Sequence, residues 1–113
     1  MQIRFANKKL MTTFTSETEC RKRFGADNAK KALMRLNTLA AANSLADIPP
    51  GLPPERLHEY TGDKAGTFSM DVKQPYRLLF RPIDAADPRP EKLRDYWASI
   101  KIIEIVGIED PHG

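Results

Sequence analysis

At 113 residues the chain has room for one domain with one modest hydrophobic core, and not for two. Hydrophobic residues at 41% and charged residues at 29% exclude the apolar-poor, charge-rich regime in which chains stay disordered. The net charge of +3 hides an asymmetry: residues 1–35 carry nine Lys or Arg against three acids, and residues 36–113 carry nine against twelve. A basic N-terminal third suits a polyanion such as RNA or an acidic protein, although solvated faces of surface helices would give the same count.

In chain order, "QIRF" alternates Ile3 and Phe5 with polar residues and predicts a strand. Asn7 can then cap a short helix, "KKLMTTF", in which Leu10, Met11 and Phe14 have helical spacing. "SETECRKRFGA" breaks that pattern. Asp27 can cap a longer helix to about Ala42, with Ala29, Leu33, Leu36 and Ala40 as its apolar stripe and Lys30, Lys31 and Arg35 on a basic face toward solvent. The proline-rich "ADIPPGLPPERL" reads as an extended connection, because proline lacks the amide donor a helix needs.

Three strands follow in a meander: "RLHEYTG", "GTFSMDV" and "YRLLFRP", the last two joined by a tight reversal at "KQP". In the middle strand Phe68, Met70 and Val72 alternate with Thr67, Ser69 and Asp71, as in a sheet with one face on a core. A polar, proline-marked insert occupies about 82–99, with a helical turn or two near "EKLRDYW". Trp97 is too large to stand in water without a reason, so it folds back on the body or enters an interface. "IKIIEIVGI" is rich in β-branched residues on both faces and predicts a central strand. It runs into the tail "EDPHG". The expected fold is a single α+β domain, two N-terminal helices packed on one face of a mostly antiparallel sheet of about five strands.

Apolar runs fall well short of the roughly 20 residues that cross a bilayer. The first ten residues also lack a signal-peptide core, so a cytoplasmic protein without membrane contact is expected. Cys20 is the sole cysteine, which excludes an internal disulfide and any cysteine-based metal cluster. No phosphate loop, dinucleotide fingerprint or zinc-ligand spacing is present, and no cofactor or metal is expected.

The block "LHEYTGDKAGTFSMDVKQPYRLLF" resembles the central segment of HigB-like toxins of the RelE/ParE superfamily. In that family a Leu-His strand enters a Gly-flanked turn, followed by an aromatic-Ser strand and an aromatic-Arg-x-x-Phe strand. The likeness extends to the N-terminal strand and helices, the Leu-Pro-rich connection and the acidic-histidine tail, with the insert as the main excess. It implies the RelE-like fold and a toxin of a type II toxin-antitoxin pair, a ribosome-dependent endoribonuclease that cuts mRNA and inhibits translation. Its implied partners are the ribosome with its mRNA and a helix-turn-helix, HigA-like antitoxin, with DNA reached only through the antitoxin complex.

Metal-independent RNA cleavage needs a base for the 2′-hydroxyl, cations for charge developing at phosphorus, and an acid for the departing 5′-oxygen. Matched to the family pattern, His58 would serve as base or acid, histidine being the residue type that exchanges protons near neutrality. A hydrogen-bonded histidine at a sheet edge is the alternative. Arg77 would grip the scissile phosphate with its planar fork. Asp110 and His112 match the family's tail, where acid-base or phosphate-positioning residues lie, against the alternative of a solvated terminus. Lys64, Lys73 and Arg81 are candidates for holding the RNA backbone, although exposed cations are common. Glu109 is left out because it would repel a phosphate.

Two departures bear on catalysis. Thr61 stands where the family often has lysine, and Pro111 where a tyrosine is common. The first removes a cation and the second a base-stacking surface, for which Lys64 and Tyr60 or Tyr76 are possible substitutes. They keep open a non-catalytic protein on the same fold, either a gyrase-inhibiting toxin or an inactive toxin acting as operon co-regulator. Basic helices that bind nucleic acid or ribosome without cutting are a third reading.

Overall fold

The computed structural model of the chain describes residues 1–110, so the expectations on Pro111 and His112 lie outside the described residues. Five strands form one sheet: β1 (Gln2–Phe5), β2 (His58–Glu59), β3 (Phe68–Asp71), β4 (Arg77–Pro82) and β5 (Ile102–Glu109), in spatial order β1-β5-β4-β3-β2. Only β1 and β5 run parallel; the other neighbours are antiparallel. The β-branched β5 lies between β1 and β4, as its composition predicts. The fold is α+β with a mixed sheet.

Local chemistry accounts for the helices, and in one case it overrules the hydrophobic pattern. Asn7 caps α1 (Lys8–Phe14), its Oδ1 accepting the Leu10 N–H at 2.8 Å. The stretch expected to break the helical pattern is itself a helix, α2 (Glu17–Phe24). Ser16 Oγ accepts the Glu19 N–H, and Glu17 and Glu19 in the first turn with Arg21, Lys22 and Arg23 in the last complement the helix dipole. Since Cys20 is its one fully buried residue, α2 shows little apolar periodicity. Burial also pushes the Cys20 thiol's pKa up, which keeps it protonated and unreactive.

A third N-terminal helix, α3 (Ala26–Ala41), follows directly, so the expected two helices are three. Gly25 caps it, not Asp27, and its φ of 87° is a conformation glycine adopts without penalty. The buried stripe is Ala29, Ala32, Leu36 and Leu39, rotated from the expected one, with Leu33 half-buried and Ala40 exposed. Arg35 is not on the solvent face. It is buried within the stripe, donating Nε–H to the Asp71 carbonyl at 2.7 Å and a terminal N–H to the Pro54 carbonyl at 3.3 Å. It thereby ties helix, strand and proline-rich connection together. Lys30 and Lys31 do face solvent.

The core joins Leu10, Phe14, Leu36 and Leu39 from the helices to Phe68, Met70, Leu78, Phe80, Ile103 and Ile105 from the sheet. All of these sheet residues lie on the helix side. The proline-rich connection holds one 3₁₀ turn, Leu45–Asp47, and Pro50 bridges Leu57 just before β2. Among the described residues no helix is long and apolar enough to cross a membrane.

The polar insert is a packed part of the domain. Asp84 accepts the N–H groups of Lys101 and Ile102, and α4 (Leu93–Ala98) presents Trp97, which is 4% exposed, edge-on to Phe68 at 5.6 Å. The Trp97 indole N–H donates to Glu59 Oε1 at 2.9 Å. Arg89 grips the same carboxylate at 2.6 and 3.1 Å while lying 3.9 Å from the Tyr96 ring centre. Glu59 belongs to the two-residue edge strand β2, so these bonds tie the insert to the edge of the sheet.

This latch has a pH signature. Burial pushes the Glu59 carboxyl pKa up, but the Arg89 and Trp97 hydrogen bonds, the Arg89 charge and nearby His58 outweigh it and hold it below the ordinary value. A folded pKa below the unfolded one contributes stability in full above the ordinary carboxylate value, lost as pH falls through the folded value. Urea denaturation between about pH 5 and pH 3 is therefore expected to show a shallower loss of stability for Glu59→Gln than for the parent. Parallel curves would contradict this.

Candidate functional site

Strand register decides which side chains share the face away from the helices. His58 stands opposite Ser69, Asp71 opposite Arg77, and Arg77 opposite Glu109. Directly opposed residues project to the same side, and these alternate with Phe68, Met70, Leu78 and Phe80, which point into the core. The expected half-exposed β3 is instead buried along its whole length. Its polar face is closed over: Ser69 Oγ donates to the Tyr60 hydroxyl at 3.1 Å and accepts from Arg77 Nε at 2.6 Å.

Arg77 occupies the centre of that face. Besides Ser69 Oγ, its guanidinium donates to Asp71 Oδ1, to the Arg56 carbonyl at 2.6 Å and to the Ser69 carbonyl at 3.4 Å. All three nitrogens are thus engaged, and only 16% of the side chain is exposed. Asp71, 8% exposed as a side chain, also holds Arg56 through an ion pair of 3.5 Å. The hairpin turn carries this arrangement, because Tyr76 N–H to Lys73 carbonyl and Val72 N–H to Tyr76 carbonyl bonds put Asp71 and Arg77 in register.

Beside this cluster lies an open depression of about 280 Å3, lined by Gly51, Arg56, Leu57, His58, Tyr60 and Arg77. His58 is exposed on β2, its ring edge-on to Tyr60 at 4.7 Å. The turn after β2, a 3₁₀ segment over Gly62–Lys64, curls back so that Lys64 Nζ lies 5.6 Å from the Tyr60 ring centre. A second depression of about 470 Å3 shares Gly51, Leu57 and His58 with the first and is bounded on its other side by Thr61 and by Arg89, Leu93 and Trp97 of the insert.

Of the residues singled out in the sequence, His58, Arg77, Lys64 and Tyr60 are gathered here. Asp110 is half-buried just beyond Glu109, at the end of β5 that runs past Arg77; His112 lies outside the described residues. Two expected RNA-holding cations point elsewhere. Lys73 Nζ pairs with Asp27 of α3 at 3.4 Å, and Arg81 Nε with Glu104 of β5 at 2.9 Å. Tyr76 is 43% exposed and does not line the depression. Arg56, Ser69 and Asp71 were not anticipated. The signal for the last was present, since a four-residue reversal at "KQP" sets an acid opposite an arginine.

The chemistry available is specific in kind: an imidazole, an aromatic face with a nearby ammonium, and guanidinium groups around an open hollow. Such a set can exchange protons and hold an anion, and a planar base can stack on it. No protein-family model and no curated protein matches the chain.

Proposed function

We propose that the chain is a HigB-like toxin of the RelE/ParE superfamily, a metal-independent endoribonuclease that cuts mRNA on the ribosome. One observation carries this reading: His58 and Arg77, distant in sequence and both matched to the family's motif, border one open depression together with Tyr60 and Arg56. In the proposed reaction the 2′-oxygen attacks phosphorus as its proton leaves to a base. The bond to the 5′-oxygen breaks, giving a 2′,3′-cyclic phosphate and a 5′-hydroxyl that takes its proton from an acid. His58 is one proton-transfer group, and the Asp110/His112 tail supplies the other. Cationic side chains stabilise the charge on the phosphoryl oxygens. The setting is the cytoplasm, with ribosome and mRNA as substrate assembly and a helix-turn-helix, HigA-like antitoxin as neutralising partner.

A second reading has its own observation. Arg77 is spent on Ser69, Asp71 and the Arg56 carbonyl, which suits a protein-binding relative such as a gyrase-inhibiting toxin or operon co-regulator. Induction in a bacterial host separates the two. Amino-acid incorporation is expected to fall within minutes while plasmid supercoiling stays normal; the reverse pattern identifies gyrase as target, and neither effect identifies the co-regulator.

A further inference from the structure

We infer that Arg56, and not Arg77, is the phosphate-contacting arginine of this site, and that Arg77 is the residue that positions it. The inference rests on the nuclease reading above. Its starting point is an imbalance between the two guanidinium groups. Arg77 makes four hydrogen bonds through all its nitrogens, two of them to Ser69 and one to the Asp71 carboxylate. A phosphate could reach it only by displacing partners already in good geometry. Arg56 has a 53% exposed side chain and lines the same depression as His58 and Tyr60, and among the described residues its guanidinium is held by an ion pair of 3.5 Å to Asp71.

Charge points the same way. Two guanidinium groups share the single Asp71 carboxylate, whose closer contact is with Arg77. Arg56, on the solvent side of the cluster, is therefore the less closely paired of the two guanidinium groups. Glu109, at the end of β5 and followed by Asp110, stands in register with Arg77. An incoming phosphodiester thus meets Arg56 as its partly desolvated and incompletely paired cation, the condition under which an arginine fork binds an anion well.

Backbone geometry supplies an independent observation. Arg56 has φ of 48° and is the one non-glycine residue in the left-handed region among the described residues. A side chain with a Cβ seldom adopts that conformation, and such residues concentrate at functional sites. Here the surroundings enforce it. The Arg56 N–H donates to the Leu52 carbonyl at 2.8 Å, while its own carbonyl accepts from Arg77. The neighbouring Glu55 carbonyl accepts the Asp71 N–H at 2.7 Å. Arg77 thus grips both ends of the device, the carboxylate that orients the Arg56 side chain and the carbonyl that fixes its backbone.

The left-handed backbone also makes a clean test possible, because glycine accepts φ of 48° without penalty. Arg56→Gly should fold with an unchanged melting temperature and yet cut a translated reporter mRNA at least about tenfold more slowly in single turnover, the loss expected for one removed charge-assisted contact. Arg56→Gln, neutral with the original Cβ, should match it, and Arg56→Lys should recover part of the rate. Binding to a short single-stranded RNA, titrated against KCl, should lose about 0.7 from its log–log salt slope in both neutral variants. Wild-type cutting that persists undiminished in folded Arg56→Gly, with the same salt slope, overturns the assignment alone. A wild-type protein that neither binds RNA nor cuts on the ribosome overturns the nuclease reading, and the assignment with it.

Discussion

Arg77→Ala is expected to lower the free energy of unfolding by about 3–5 kcal/mol, because it leaves the Asp71 carboxylate in a buried position without its closest counter-charge. Ser69 Oγ and the Arg56 carbonyl lose their donor in the same step. With total stabilities of about 5–15 kcal/mol for domains of this kind, such a loss takes a large share of the whole and should lower Tm by about 10–20 °C. Lysine should not rescue it, since one ammonium cannot reach a hydroxyl, a carboxylate and a carbonyl as the planar fork does. Equilibrium denaturation in urea measures the effect, and a cost below about 1 kcal/mol, the range of an exposed ion pair, would show that the cluster is not a structural unit. Catalytic assays on Arg77 variants are informative only well below their lowered Tm.

Trp97→Ala should cost a similar amount, about 3–5 kcal/mol, for a different reason. The indole fills space against Phe68 beneath α4, and its removal leaves a void that the anchored strands cannot collapse into. The Glu59 carboxylate loses one of its three donors as well. Trp97→Phe separates the two contributions: it keeps most of the packing, loses the indole N–H, and should cost about 1–2 kcal/mol. If alanine costs no more than phenylalanine, the insert is an appendage and not part of the core. Because Glu59 directly follows His58 on β2, loosening the insert should also disorder the second depression beside the candidate site.

Much of the architecture is legible in the sequence wherever a local rule and the hydrophobic pattern agree. Asn7 before "KKLMTTF", the alternation in β1, the reversal at "KQP" and the β-branched β5 all formed as their chemistry predicts. Where the two signals conflict, pattern alone misleads. In α2 the apolar residues are too few to show a period, yet Ser16 followed by Glu19 and the distribution of charge along the helix announce it. Arg35 illustrates the opposite difficulty. A cation in a helix sequence reads as solvent-facing, and only the tertiary proximity of the Asp71 and Pro54 carbonyls, 36 and 19 residues away respectively, makes its burial favourable.

The candidate site was legible in part for the same reason. His58 and Arg77 are visible as motif residues, whereas Arg56 becomes notable only through its backbone angle and its place beside Asp71. Lys73 and Arg81 look equally suited to RNA in sequence, but each has an acid within reach, on α3 and β5 respectively, that the linear order does not reveal.

The proposed cutting of mRNA by this face is open to primer extension on a reporter mRNA under translation in a purified system. Wild-type protein should give discrete cuts within codons occupying the ribosomal A site. His58→Ala, altered at an exposed position that the core does not use, should retain the wild-type fold and lose about 100-fold or more of the cutting rate, the scale of general acid-base catalysis. Full-length extension products with wild-type protein would exclude the nuclease, and cuts of equal strength from His58→Ala would remove His58 from its catalysis.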